Sequence, residues 1–105
     1  MKKKVIIIGS GIAGLAVSIR LKSKGYNVEV YEKNKNVGGK LSDFYLGNFR
    51  HDFGPKLFTM PNLVEDIFED AGVNTKKYFK YDRLDIACKY FWDDGHIFNA
   101  YSDSQ

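Results

Sequence analysis

Lys4-Val5-Ile6-Ile7-Ile8-Gly9-Ser10-Gly11-Ile12-Ala13-Gly14-Leu15-Ala16 decides the fold of this chain. A run of mostly β-branched apolar residues enters Gly-x-Gly-x-x-Gly, and an apolar helical spacing follows at once. The three glycines predict three different tasks. Gly9 lets the chain turn sharply out of a buried strand, Gly11 leaves bare backbone for a pyrophosphate, and Gly14 lets the helix pack close to the strand. Ser10, Ile12 and Ala13 fill the positions between them, where phosphates meet the free N–H groups and positive dipole end of the new helix. Val28-Glu29-Val30-Tyr31-Glu32 reads as the second strand. Glu32 stands 18 residues after Gly14, where a carboxylate can accept hydrogen bonds from the adenosine ribose hydroxyls, and Lys33 adjoins it. Two negative groups would meet if the ribose carried a 2′-phosphate, so the pattern implies an adenine dinucleotide without one.

Moving outward, residues 12–24 read as the first helix. Ile12, Leu15, Ala16, Ile19 and Leu21 give its apolar side, and Gly25 stops it. The loop Val37-Gly38-Gly39-Lys40-Leu41 offers a second place for bare backbone beside the cofactor, with Lys40 as a cation for phosphate. A glycine doublet so soon after the ribose-binding acid fits an extended flavin dinucleotide better than a nicotinamide one.

Further along, Phe44-Tyr45-Leu46 and Phe49-Arg50-His51-Asp52-Phe53 predict a hairpin around Gly47-Asn48, leading into a rigid Gly54-Pro55 bend. Thr59 or Met60 is expected to cap a helix with Pro61 in its first turn. Leu63, Val64, Ile67, Phe68 and Ala71 supply that helix's apolar face. Glu65, Asp66, Glu69 and Asp70 supply a solvated acidic one. Residues 83–92 and 96–101 predict a second hairpin around Asp93-Asp94-Gly95, an aromatic-rich sheet read as core.

Composition sets outer limits. At 105 residues the chain is one domain at most, able to bury about two thirds of its unfolded surface. A net charge of +3 is too small to imply nucleic acid, and the lysines at 2–4 and 76–77 read as solvated. The single cysteine, Cys88, excludes an internal disulfide and fits a reducing compartment. The apolar run after the first lysines is broken by glycines in fingerprint order, unlike a secretory signal. No paired carboxylates, nucleophile or metal constellation stands out. His51 and His96 read as ordinary hairpin residues, and Asp52 as a structural hydrogen-bonding group.

The order of motifs resembles the N-terminal end of the phytoene desaturase family, FAD-dependent carotenoid desaturases and isomerases within the amine oxidase superfamily. The resemblance rests on the glycine fingerprint, Glu32, Val37-Gly38-Gly39-Lys40-Leu41, Asp52-Phe53-Gly54-Pro55 and Leu57-Phe58-Thr59-Met60-Pro61. It extends to Leu84-Asp85, Tyr90-Phe91-Trp92, Asp94-Gly95 and Ala100-Tyr101, which resemble the bacterial 3,4-desaturase-like branch. It implies that Gly9, Ser10, Gly11, Ile12, Ala13 and Gly14 hold the pyrophosphate and that Glu32 and Lys33 lie at the ribose. Gly38, Gly39, Lys40 and Leu41 would line the pyrophosphate and ribityl path, with Gly54 and Pro55 toward the flavin ring. His51 stands where that family more often has an aromatic, and Lys56 where a serine or threonine is usual.

The expected fold is thus α/β, a Rossmann-type FAD-binding βαβ unit followed by β-hairpins and a helix. Residues 1–105 would be the N-terminal part of an FAD/NAD(P)-binding domain, lacking the substrate domain and the C-terminal FAD motif. The resemblance implies an oxidoreductase that removes hydrogen from a lipophilic polyene, passing a hydride to flavin. It also implies a cytoplasmic location with peripheral membrane association. Another amine oxidase-type flavoenzyme, a carotenoid isomerase and an inactive dinucleotide-binding fragment are the rival readings. One parallel unit with detached hairpins would leave an unpaired sheet edge and open apolar surface.

Overall fold

In a computed structural model, residues 3–54 and 57–103 are described; Met1, Lys2, Pro55, Lys56, Ser104 and Gln105 lie outside the described residues. Strand β1 (Lys4–Ile8), helix α1 (Ile12–Ser23) and strand β2 (Asn27–Tyr31) follow directly from the fingerprint. β1 and β2 pair in parallel, Lys4 opposite Asn27 through Ile8 opposite Tyr31. A parallel pair needs a crossover, and α1 is that crossover. Lys4 is not merely solvated, because its Nζ lies 3.0 Å from Glu29 Oε1 on the neighbouring strand. Gly25 adopts φ 86° just beyond the helix, as its expected stop requires.

Side-chain alternation on β1 aims Val5 and Ile7 toward α1, while Ile6 and Ile8 remain 56% and 89% exposed. On α1 the half-buried residues include Leu15, Ala16, Ser18 and Leu21. Ile12 and Ile19, expected on the apolar side, are exposed instead. The reason is coverage: among the described residues only the β1–β2 pair and one other helix lie against α1.

That other helix is α2 (Asn62–Asp70), and Arg20 Nε of α1 meets its Asp70 Oδ2 at 2.9 Å. Tyr81 donates its hydroxyl to Glu65 Oε1 at 3.1 Å. Two of the four acidic residues expected to be solvated are therefore engaged. Neither Thr59 nor Met60 caps α2. Pro61 occupies the N-cap position without a side-chain hydrogen bond, and Met60 sits at φ 55°, rare for a non-glycine residue. A short helix, α3 (Thr75–Tyr78), is capped by Asn74, whose side chain accepts from Lys76 N–H.

Strands β3 (Ser42–Leu46) and β4 (Phe49–Phe53) form the expected hairpin, and Gly47 alone takes positive φ in its turn. That pattern belongs to a type II′ turn. Strands β5 (Ile86–Phe91) and β6 (Ile97–Tyr101) form the second hairpin. Pairing slips between Ile86 and Cys88, so Ala87 is an extra residue and strict alternation fails there.

The reading of the second hairpin as core is corrected. Among the described residues there are three separate two-stranded sheets, and every residue of β5 is exposed. Among the described residues no hydrophobic side chain is buried. The accessible surface is 9379 Å², against ~6,000 Å² for a compact chain of this mass. The radius of gyration is 18.5 Å, against about 13 Å for a compact domain. The expectation of two-thirds burial is overturned too. Less than half of the ~17,400 Å² of an unfolded chain is removed, because among the described residues no element covers the outer faces of the sheets.

Candidate nucleotide-binding site

The β1–α1 turn is built by three glycines with three distinct constraints. Gly9 adopts φ 96°, and its N–H donates to the Tyr31 carbonyl at 2.7 Å, tying the turn to the end of β2. Gly14 touches the turn: a methyl group added there would overlap the Gly9 carbonyl oxygen and reach Ile7 Cγ2 at 3.6 Å. Gly11 has neither constraint. Its φ is −65°, open to any residue, and an added Cβ would meet nothing within 4 Å. Folding gives no reason for glycine at position 11. Room for an external group does.

Above Gly11 the start of α1 is electrically open. Leu15 N–H makes the first helical bond, to the Gly11 carbonyl at 2.9 Å. Among the described residues the N–H groups of Ile12, Ala13 and Gly14 have no acceptor, no side chain caps the helix, and its first turn carries no acid. Unsatisfied N–H groups and the positive end of the helix dipole together favour an anion.

Glu32 follows β2 immediately and turns toward the glycine turn. Its Oε2 accepts from Ser10 N–H and Ser10 Oγ–H, both at 2.8 Å. Its Oε1 accepts from Asn34 N–H and Asn34 Nδ2–H, both at 2.9 Å. The Asn34 backbone N–H, followed by the backbone and hydroxyl of Ser10, holds the carboxyl down at about 2, so it is a carboxylate at any physiological pH. Ser10, at 1% exposure, is the one buried residue among those described. Lys33 is exposed beside it, and its backbone N–H adds to the lowering at Glu32.

The second glycine motif docks on the first. Gly38 N–H donates to the Ser10 carbonyl at 2.9 Å, and Gly11 and Gly38 form an isolated parallel bridge. A Cβ on Gly39 would sit 3.0 Å from Gly11 Cα, and one on Gly38 would overlap the Leu41 carbonyl. Leu41 N–H closes this turn on the Gly38 carbonyl at 3.1 Å. The third glycine joins the second, since a Cβ on Gly54 would overlap the Lys40 carbonyl. Residues 9–14, 38–41 and 54 therefore form one continuous backbone surface with Glu32 at one side. Lys40 is exposed at its rim. Pro55, assigned to the same surface from the sequence, lies outside the described residues.

The two histidines separate from this surface, whereas Asp52 lines a cleft together with Leu41 and Gly54. His51 stacks on Phe44 at 5.3 Å across the β3–β4 hairpin, and His96 Nδ1 lies 3.1 Å from Asp94 Oδ2 in the β5–β6 turn. Asp52 does not bond to a loop as expected. Its Oδ1 pairs with Arg50 Nη1 at 2.8 Å, and the same guanidinium reaches Asp43 Oδ2 at 2.6 Å. Asn34 was not singled out in the sequence, where it sits between two lysines. The available signal was an Asx residue two positions past a carboxylate that must be held still.

A family model described as an NAD(P)-binding Rossmann-like domain matches residues 7–71. The chain is 51% identical over 104 residues to a 1-hydroxycarotenoid 3,4-desaturase of Flavobacterium sp. (strain P99-3), covering 96% of this chain and 20% of that protein. It is 35% identical over 102 residues to a 4,4′-diaponeurosporene oxygenase of Staphylococcus haemolyticus (strain JCSC1435), covering 97% of this chain and 20% of that protein. It is also 35% identical over 103 residues to a 4,4′-diapolycopene oxygenase of Methylomonas sp, covering 98% of this chain and 21% of that protein. The chain thus spans about a fifth of the length of the curated relatives it matches. Among the described residues no helix is long and apolar enough to cross a membrane.

Proposed function

The chain belongs to the NAD(P)-binding Rossmann-like domain family, and on that premise we propose that it is the nucleotide-gripping segment of an FAD-dependent carotenoid desaturase. The observation that carries this reading is Gly11, a glycine with no backbone or packing demand, set beneath three helix N–H groups without acceptors. Identity of 51% to a carotenoid 3,4-desaturase favours desaturation over the oxygenation named for the 35% relatives. The substrate is accordingly a lipophilic polyene, reached by peripheral association with a membrane, and the activity belongs to a protein of the relatives' length.

In this reading residues 9–14 hold the pyrophosphate. Ile12, Ala13 and Gly14 donate their N–H groups to it, and the bare edge of Gly11 admits it. Glu32 accepts from the adenosine ribose and repels a 2′-phosphate, which separates FAD and NAD from NADP. Gly38, Gly39, Lys40 and Leu41 extend the same bare surface away from the ribose, and this second cradle favours the longer flavin dinucleotide. Gly54 and Pro55 lead from it toward the ring. When bound, the flavin supplies the two-electron oxidation of a saturated carbon pair. This chain's own residues supply anchorage and orientation, and none of them is assigned a proton-transfer role.

The test is the visible absorption spectrum of the purified full-length protein, followed by incubation with a hydroxylated or acyclic carotenoid precursor. Bound yellow flavin and a product with a lengthened chromophore are expected. A colourless protein that ignores added FAD would remove the assignment.

A further inference from the structure

Glu32 is already fully engaged by its own chain. An ionised carboxylate offers about four lone-pair positions, and here all four are filled: two on Oε2 by Ser10 and two on Oε1 by Asn34. A ribose diol can reach this carboxylate only by displacing donors that are present. The four donors are not equivalent. The Ser10 and Asn34 N–H groups belong to backbone, and the Ser10 segment is fixed further by the bond from Gly38 N–H to the Ser10 carbonyl. The Ser10 hydroxyl and the Asn34 amide are rotatable, and one of them sits on each carboxylate oxygen.

We propose that Ser10 Oγ–H and Asn34 Nδ2–H are an internal stand-in for the ribose diol, released one for one when a nucleotide binds, so that these two side chains set the site's affinity by competition. The inference rests on the nucleotide reading of the preceding subsection. The two releases differ in cost. Asn34 is exposed, so its amide returns to water. Ser10 is buried, so its freed hydroxyl must find an acceptor inside the site. The incoming ribose oxygen is one, since a hydroxyl accepts as well as donates. Position 10 therefore acts as the stronger brake on binding.

Calorimetric titration of flavin-depleted full-length protein with ADP and with 2′,3′-dideoxy-ADP tests this. Ser10→Ala is expected to tighten ADP by about 3- to 10-fold and Asn34→Ala by about 2-fold, from the net worth of a hydrogen bond no longer broken. Asn34→Ala should leave dideoxy-ADP binding unaltered, because that ligand leaves the amide donor in place. Unchanged or weakened ADP binding in both variants, with wild type still preferring ADP to its dideoxy form, would overturn the competition and make the side chains positioning groups. Failure of wild type and of both variants to prefer ADP would instead overturn the assignment of Glu32 to the ribose, and the competition with it. Asn34→Ala changes an exposed side chain, so the test stands even if Ser10→Ala fails to fold.

Discussion

Replacing Gly11 and Gly14 separately by alanine should divide binding from folding. At Gly11 the backbone is already at φ −65° and ψ 173°, and the new methyl meets no atom within 4 Å. Alanine is a poorer N-cap than glycine by roughly 0.5–1 kcal/mol, and the loss of unfolded-state freedom returns about 0.4–1 kcal/mol. The two terms cancel, so the melting temperature of the full-length protein should stay where it is. The methyl does, however, stand in open space at the start of α1, next to the N–H groups of residues 12–14. If one charge-assisted hydrogen bond is lost, at about 1.5–3 kcal/mol, FAD affinity falls roughly 10- to 150-fold.

At Gly14 the terms reverse. Helix propensity favours alanine by about 1 kcal/mol, but the methyl overlaps the Gly9 carbonyl oxygen, a backbone atom tied by its neighbouring N–H to Tyr31. Overpacking of about 1–3 kcal/mol then outweighs the gain, and stability and flavin content should fall together. Flavin retained per protein and the thermal midpoint are the two readouts. Wild-type FAD affinity in Gly11→Ala, or a midpoint as low as that of Gly14→Ala, would refute the reasoning.

Glu32 is held at about 2, below its ordinary value of 4.5, so its stabilising bonds are complete above pH 4.5 and are lost as pH falls through 2. NMR titration of the Glu32 side-chain carboxyl should place its midpoint near the lower value, and Ser10→Ala should raise it. The 105-residue chain by itself should bind a hydrophobic dye and melt without a sharp transition, given its lack of buried apolar side chains; a cooperative melt in a monomer would contradict this. Met60→Gly should stabilise the protein by about 0.5–1 kcal/mol in denaturant titration, because it relieves φ 55° at a residue 59% exposed.

What could be read in the sequence was what neighbours along the chain decide. The βαβ unit followed from β-branched runs, helical spacing and the glycine stop at Gly25. Both hairpins followed from alternation and turn chemistry; Gly9 has the positive φ and Gly14 the close approach expected of them, while Gly11 carries no constraint from its own chain. What could not be read was tertiary. Whether Ile19 or Tyr90 is buried depends on what covers it, and periodicity reports only which way a side chain faces. The cap of α2 was misjudged because Thr59 and Met60 compete with Pro61, whose fixed φ already satisfies the helix start.

The convergence of the glycine motifs shows the same division. Each motif announces bare backbone, but nothing in the spacing says that Gly38 will bond to Ser10 or that Gly54 will rest on Lys40. Glu32 accounts for the first of these contacts. By gripping Ser10 on one oxygen and Asn34 on the other, it fixes the chain leaving β2 against the β1–α1 turn. The bridge between Gly38 and Gly11 forms a few residues beyond that clamp. An acid at the end of a second strand is usually explained by the sugar it binds. Here it also organises the glycine cradle, so Glu32→Gln should weaken nucleotide binding and also increase amide exchange at Gly38. Normal exchange protection at Gly38 in that variant would reduce Glu32 to a ligand contact alone.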